Sequence, residues 1–244
     1  FKQKTAYEML RSLVGSEMCI RDRKYRCASI AYTYTEPTVF FEYAYDTARI
    51  ATARGIKNIF VTNGYMTEEA LRQIEPYLDA ANVDLKSFSD EFYRRICGAQ
   101  LQPVLDAIRL MHQMGVWVEV TTLIVPGHND GDEELRQIAR FLADISLDLP
   151  WHISRFVPHY KMTDVPPTPV ETLHRAAEIG YQTGLRYVYA GNVPGDRYES
   201  TYCPNCGETA IQRFGYHTQL KLDGDRCRNC GYQLALVTGK GNIA

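Results

Sequence analysis

Asn58-Ile-Phe-Val-Thr62 and Ala81-Asn-Val-Asp-Leu85 are two short β-rich runs, and the segment between them, Glu68 to Leu78, carries its apolar residues at helical spacing. Together they read as one strand–helix–strand unit. The same alternation extends in both directions. Strands are expected at Ser29–Tyr34, Asn58–Thr62, Ala81–Leu85, Val116–Ile124, Trp151–Phe156 and Arg186–Ala190. Helices are expected at Pro37–Gly55, Glu68–Leu78, Pro103–Met114, Asp132–Ala143 and Pro169–Thr183. Pro37 suits a first helical turn, and Gly55, Gly115 and Gly184 suit stops. Repeated βα units joined by right-handed crossovers form a parallel α/β sheet. Six strands can close into a partial or full (βα)6 TIM-like barrel, and a flat doubly wound sheet is the alternative.

After Pro194 the helical periodicity ends, and Gly, Asn and Cys punctuate short apolar pieces. Residues 196–244 therefore read as a second, small module. Four of the seven cysteines lie there, as Cys203-Pro-Asn-Cys206-Gly and Cys227-Arg-Asn-Cys230-Gly. Each C-x-x-C pair lets two thiolates grip one ion, and the following Gly allows the tight turn. With Ile211 to Leu222 read as a β-hairpin between the pairs, the segment is a zinc ribbon holding a closed, structural four-thiolate site. A rubredoxin-type iron site and a redox dithiol pair are the alternatives. Clustered cysteines of this kind fit metal binding in a reducing, cytoplasmic compartment better than secreted disulfides.

The whole chain has 244 residues, 45% hydrophobic, 23% charged and 11% aromatic, a globular balance that excludes a disordered tail or a disulfide miniprotein. Lys and Arg number 27 against 29 Asp and Glu, a formal charge of −2. No basic excess is available for nucleic acid, and no apolar run reaches the length of a membrane helix. The opening segment, Phe1 to Arg23, lacks the apolar centre and cleavage site of a secretory signal.

The polar residues fall at the carboxyl ends of the expected strands, where α/β folds bind ligands. Thr35 and Glu36 follow the first strand, Asn63 and Gly64 the second, Asp84 and Lys86 the third, Pro126 to Asp130 the fourth, and Arg155 with His159 the fifth. By two-residue parity Asp84 and Lys86 share a face, as do Glu119 and Thr121. Read singly, such charges are loop caps or surface ion pairs; five sets at the same ends suggest one pocket. His152 lies inside a strand, where a hydrogen-bonded core histidine is the plain reading. No metalloprotease, nucleophile-elbow or phosphate-loop motif is present.

Ser29-Ile-Ala-Tyr-Thr-Tyr-Thr-Glu-Pro37, Val61-Thr-Asn-Gly-Tyr65, Ala81-Asn-Val-Asp-Leu-Lys86, Val118-Glu-Val-Thr-Thr122 with Val125-Pro-Gly127, Trp151-His-Ile-Ser-Arg-Phe156 and Tyr187-Val-Tyr-Ala-Gly-Asn-Val-Pro-Gly195 resemble the radical SAM enzyme of the AmmeMemoRadiSam system. That family is related to pyruvate formate-lyase activating enzymes, and the likeness runs from about Cys27 through the zinc ribbon. The resemblance implies a partial (βα)6 barrel with a [4Fe-4S] cluster and S-adenosylmethionine, which is cleaved to a 5′-deoxyadenosyl radical. It implies cofactor contacts at Thr35 and Glu36 (methionine amino group), Asn63, Asp84 and Lys86 (methionine and ribose, Lys86 suiting the carboxylate), Thr121 (cavity lining) and His152 (adenosine). Implied partners are an unidentified substrate, a reductant such as ferredoxin or flavodoxin, and Memo-like and AMMECR-like proteins. A glycyl-radical-enzyme activase and a non-catalytic zinc-ribbon binding module are the alternative functions.

The sequence departs from that family in one place. The cluster's Cys-x-x-x-Cys-x-x-Cys loop is absent, with only Cys19 and Cys27 before Ser29 and Cys97 later. The expectation is therefore a barrel over residues 24–195 that lacks its first strand and its cluster ligands, an N-terminally truncated and inactive form of the parent enzyme. Residues 1–23 resemble a translated sequencing-adapter peptide. An ordinary amphipathic helix, with Tyr7, Leu10, Leu13 and Val14 on one face, is the alternative for that segment.

Overall fold

The computed structural model of the chain describes residues 27–160, 162–215 and 217–237. The expectations for residues 1–23 fall outside the described residues. The expected alternation is present as one six-stranded, wholly parallel sheet in sequential order. Its strands are β1 Ser29–Tyr32, β2 Lys57–Thr62, β3 Ala80–Asp84, β4 Trp117–Ile124, β5 Trp151–Arg155 and β6 Val188–Gly191. The crossover helices are α1 Phe41–Thr52, α2 Glu68–Ile74, α3 Leu101–Gln113, α4 Asp132–Ile145 and α5 Val170–Gln182. No described helix is long and apolar enough to cross a membrane.

Two-residue alternation sorts each strand into a buried face and an open face. On β2, Asn58, Phe60 and Thr62 are buried, and on β4, Val118, Val120, Thr122 and Ile124 are buried. These point toward the helices, whose apolar stripes (Leu105, Ile108 and Met111 on α3; Leu135, Ile138 and Leu142 on α4) complete the core around Phe60, Val83 and Trp151. Burying a Leu or Ile side chain contributes about 1.5–3 kcal/mol. The other face carries Asn82 and Asp84, Glu119 and Thr121, His152 and Ser154, and Tyr189, so the interior of the fold is polar on its open side. Even the buried side keeps one polar anchor: Asn58 Nδ2 donates to Ala48 O, Thr52 Oγ1 and Tyr77 O, and Tyr32 Oη donates to Asn58 Oδ1. That network ties β2 to α1.

Element boundaries differ from expectation where side-chain contacts outweigh local pattern. The first helix starts at Phe41 and not at Pro37, because Glu36 to Val39 form a turn in which Val39 N donates to Glu36 O and Thr38 donates to the Glu36 carboxylate. An unexpected helical turn, Asp90–Phe92, runs into a wider π-helical turn over Tyr93–Cys97. Its Tyr93 is buried.

Beyond β6 the chain makes β7 Thr201–Tyr202, β8 Thr209–Phe214 and β9 His217–Leu220 as one antiparallel sheet, and β10 Leu222–Asp223 with β11 Arg226–Cys227 as a second. The expected hairpin is β8–β9, paired Ile211 to Leu220. A small core of Cys203, Ala210, Ile211, Leu222, Cys227 and Leu234 closes on Tyr187, whose hydroxyl accepts from Ala235 N. The module therefore packs against the strand that ends the parallel sheet.

Candidate functional site

Glu36 stands where β1 hands over to the α1 turn, beside the carboxyl end of β2. One carboxylate oxygen accepts from Thr38 N, Thr38 Oγ1 and Thr62 Oγ1, the last at 2.6 Å. The other accepts from Asn63 N and Asn63 Nδ2, both at 2.8 Å. All five donors are neutral, and no cation pairs with this carboxylate among the described residues. Gly64 follows with φ +71°, and a Cβ there would lie 2.6 Å from Val83 Cγ1. Only glycine lets the loop carrying Asn63 sit this close to β3. Thr35 is exposed beside the group, and the Tyr34–Thr35 peptide is cis.

One strand over, Lys86 Nζ lies 2.8 Å from Asp84 Oδ2, each side chain more than a third exposed. Such a pair contributes about 0–1 kcal/mol and parts readily. The Lys86 backbone is far more constrained. Its N–H donates to Tyr93 Oη, and its carbonyl accepts from Asn129 Nδ2 at 2.6 Å. Asn129 is fully buried, donates also to Leu123 O and accepts from Val125 N. Burial pushes the Tyr93 phenol above its ordinary range, so it remains a neutral hydroxyl. Asn129 came into view in the sequence only as part of the Pro126–Asp130 loop, and Tyr93 not at all. Both act on the Lys86 backbone, and no sequence spacing marks a residue that grips another residue's backbone.

Register places the remaining expected residues on the open face, in line with Asp84. Asp84 pairs with Thr121, and Thr121 pairs with His152. Thr121 Oγ1 donates to Asn82 Oδ1, and His152 Nε2 meets Glu119 Oε2 at 2.7 Å. Glu36, Asn63, Asp84 and Lys86 thus share one rim, formed by neighbouring strand ends about 4.8 Å apart. Thr121 and His152 lie level with Asp84 on the next two strands.

The four cysteines of the module converge. All four Sγ atoms lie within 4.8 Å of one another, with Cys203–Cys230 at 3.6 Å and Cys206–Cys227 at 3.7 Å. A tetrahedral site with metal–sulfur bonds of about 2.3 Å has sulfurs about 3.8 Å apart, so the donor set fits one thiophilic ion. Burial pushes Cys203 up to about 11, while the Asn205 side chain and Tyr232 N–H hold Cys230 down to about 6. Cys27 is exposed and Cys97 half-buried, each a single thiol.

A rim of ligand-binding groups at the carboxyl ends of a parallel sheet is common to many α/β enzymes. The profile of the Radical SAM superfamily matches residues 17–142, just over half the chain. The chain belongs to the radical SAM superfamily. A relative in Methanocaldococcus jannaschii, described as uncharacterized protein MJ0808, is 46% identical over 218 residues, 88% of this chain and 65% of that protein. The pyruvate formate-lyase 1-activating enzyme of Escherichia coli K12 is 25% identical over 162 residues, 61% of this chain and 65% of that enzyme. The chain therefore spans 65% of the length of either relative. A solved domain of the pyruvate-formate lyase-activating enzyme from Bacteroides vulgatus superposes with a TM-score of 0.56 at 18% identity, covering 67% of this chain and 98% of that one. That likeness is one of fold, and it places the six-stranded α/β sheet among radical SAM structures.

Two groups characteristic of radical SAM proteins meet different fits here. The rim offers the kinds of group S-adenosylmethionine needs: a carboxylate with no cation partner among the described residues for an ammonium, a lysine for a carboxylate, an aspartate for ribose hydroxyls. The five donors already on Glu36 exceed the roughly four lone-pair sites of a carboxylate, so an ammonium would displace the exposed Asn63 amide. A [4Fe-4S] cluster does not fit the residues in view, because no three cysteines face the rim among the described residues and the sequence holds no Cys-x-x-x-Cys-x-x-Cys.

Proposed function

We propose that the chain is the S-adenosylmethionine-binding portion of a radical SAM enzyme of the AmmeMemoRadiSam type. The observation that carries the reading is the Glu36 carboxylate, held by Thr38 of its own turn and by Thr62 and Asn63 at the carboxyl end of β2, with no cation against it among the described residues. Bound S-adenosylmethionine supplies the adenosyl group that the superfamily converts to a hydrogen-abstracting radical. This chain's residues bind and orient it. Glu36 takes the amino group, Lys86 releases Asp84 to take the carboxylate, and Asp84 then accepts from the ribose. Asn63 lines the amino end and Thr35 covers it. No step is derived through the iron–sulfur cluster, whose ligand set is not in the described residues.

The four-cysteine module is proposed to hold zinc in a zinc ribbon over residues 196–244. Softness, spacing and the closed tetrahedral arrangement support a structural ion. The resemblance extends to a reducing, cytoplasmic setting, a ferredoxin- or flavodoxin-like reductant, and Memo-like and AMMECR-like partners. Likeness to pyruvate formate-lyase activation supports a second reading, a glycyl-radical-enzyme activase.

Equilibrium dialysis of S-adenosylmethionine against the purified chain tests the rim. Wild type should bind, and Glu36→Gln and Lys86→Met should each weaken binding about tenfold or more, as loss of a charged hydrogen bond requires. Binding unchanged in both variants would sink the assignment.

A further inference from the structure

Thr62 is the last residue of β2 and only 3% exposed, yet its hydroxyl reaches the rim. Gly64 N–H donates to Thr62 Oγ1 at 3.0 Å, and Thr62 Oγ1 lies 2.6 Å from Glu36 Oε1. A hydroxyl has one proton and two lone pairs, whereas an ionised carboxylate only accepts. The amide therefore takes a lone pair, and the single proton points at Glu36. Gly64 is itself fixed. Its backbone is left-handed at φ +71°, and an added Cβ would lie 2.6 Å from Val83 Cγ1 and 3.2 Å from Val104 Cγ1, so β3 and α3 wall it in. The result is a directed chain from Gly64 N–H through the Thr62 hydroxyl to Glu36 Oε1, in which each hydrogen bond polarises the next.

The two carboxylate oxygens of Glu36 are held differently. Oε1 is bound by the buried Thr62 and by Thr38, whose two donors belong to Glu36's own turn and move with it. Oε2 is bound by Asn63 N and Asn63 Nδ2 on the exposed side. An incoming ammonium therefore meets Oε2 and replaces the Asn63 amide, the exposed side-chain donor. After that exchange, Thr62 is the one side chain outside the turn that still holds the carboxylate, among the described residues. Valine at this position would keep the shape, lose the donor to Glu36 and leave the Gly64 N–H without its acceptor. Serine would keep the whole chain.

We propose that Thr62 is a positioning residue that commits Glu36 Oε1 to the fold and so presents Oε2 to the ammonium of the ligand. The inference rests on the S-adenosylmethionine reading of the rim, which supplies that ammonium. Thr62 touches neither the ligand nor any reacting atom, and its effect passes wholly through Glu36. It thereby sets the preference of the rim for ligands that carry an amino group over otherwise identical ligands that lack one.

Carbon NMR of the full chain carrying 13C-labelled glutamate, with the Glu36 signal assigned through Glu36→Gln, reads the contact without ligand. Thr62→Val should shift the Glu36 carboxylate signal, and Thr62→Ser should restore it. In wild type the Thr62 hydroxyl proton should exchange slowly with water, a measurement that needs no variant. Equilibrium dialysis then uses S-adenosylmethionine and the analogue in which hydrogen replaces its methionine amino group. Thr62→Val should weaken S-adenosylmethionine binding about tenfold, the worth of one good hydrogen bond, and leave the analogue unchanged, while Thr62→Ser should bind both as wild type does. Equal weakening of both ligands would give Thr62 a general structural role and overturn the proposal. So would a fast-exchanging Thr62 hydroxyl in wild type, a Glu36 signal indifferent to Thr62→Val, or no rescue by Thr62→Ser. Failure of wild type to bind S-adenosylmethionine, with the Glu36 and Thr62 signals behaving as expected, would instead defeat the reading of the rim, and with it the role of Thr62, while leaving the hydrogen-bond chain intact.

Discussion

The Asn129 amide donates to the carbonyl of Lys86 at 2.6 Å, so a buried side chain from the loop after β4 sets the backbone from which a rim lysine projects. Asn129 also serves Leu123 O and Val125 N. Removing it leaves three backbone groups unsatisfied in the interior, at about 1–3 kcal/mol each before relaxation. Asn129→Ala should lower stability by about 2–4 kcal/mol in denaturant titration. In the fraction that remains folded, S-adenosylmethionine affinity should fall as well.

Gly64→Ala combines two costs. A left-handed backbone costs an L-residue about 1–2 kcal/mol, and the new methyl would lie 2.6 Å from Val83 Cγ1 and 3.2 Å from Val104 Cγ1. The variant should lose about 2–4 kcal/mol. Gly55→Ala has a similar φ of +75° and open space around it, so thermal melting should show a clearly smaller loss there.

Removal of the ion should act locally. The module's core is small, and two of its six buried residues are the ligands Cys203 and Cys227. Chelation, or Cys227→Ser, should raise amide exchange across residues 201–236 while β2 to β5 stay protected. Metal analysis should return one ion per chain in wild type. Because the module packs on Tyr187 and its Arg213 covers Tyr189, β6 should be the one strand of the parallel sheet to loosen.

Glu119 predicts an acid limb in the stability profile. Burial by itself raises this carboxyl, but the hydrogen bond and charge of His152, the Trp117 hydrogen bond and the Arg213 charge outweigh it and hold it below its ordinary 4.5. A group whose value is lowered on folding contributes stability above its unfolded value and loses it as pH falls through the folded one. Wild type should therefore exceed Glu119→Gln in stability at neutral pH, and the gap should close as pH drops below about 4.5. A gap constant from pH 7 to 3 would count against the paired carboxylate.

The sequence by itself determined the chemistry of the strands and their order. Local apolar periodicity located all six parallel strands and five crossover helices, and C-x-x-C spacing located the thiolate cluster, because both signals are written in neighbouring residues. The placing of Glu36, Asn63, Asp84 and Lys86 at the carboxyl ends of strands was legible for the same reason, each lying at or just after the end of β1, β2 or β3. Tertiary structure decided what no local pattern encodes. It turned Pro37 to Phe40 into a loop, since the Glu36 carboxylate is satisfied by Thr62 and Asn63, 26 and 27 residues away. It made Asn129 and Tyr93 the grips on Lys86. It also turned His152, a plain strand histidine by sequence, into a ring fixed by Glu119 and Tyr189, because parallel register sets those side chains on adjacent strands of one face. Hydrogen bonds and stacking act across a few ångströms of space, and only the folded sheet brings those partners within reach.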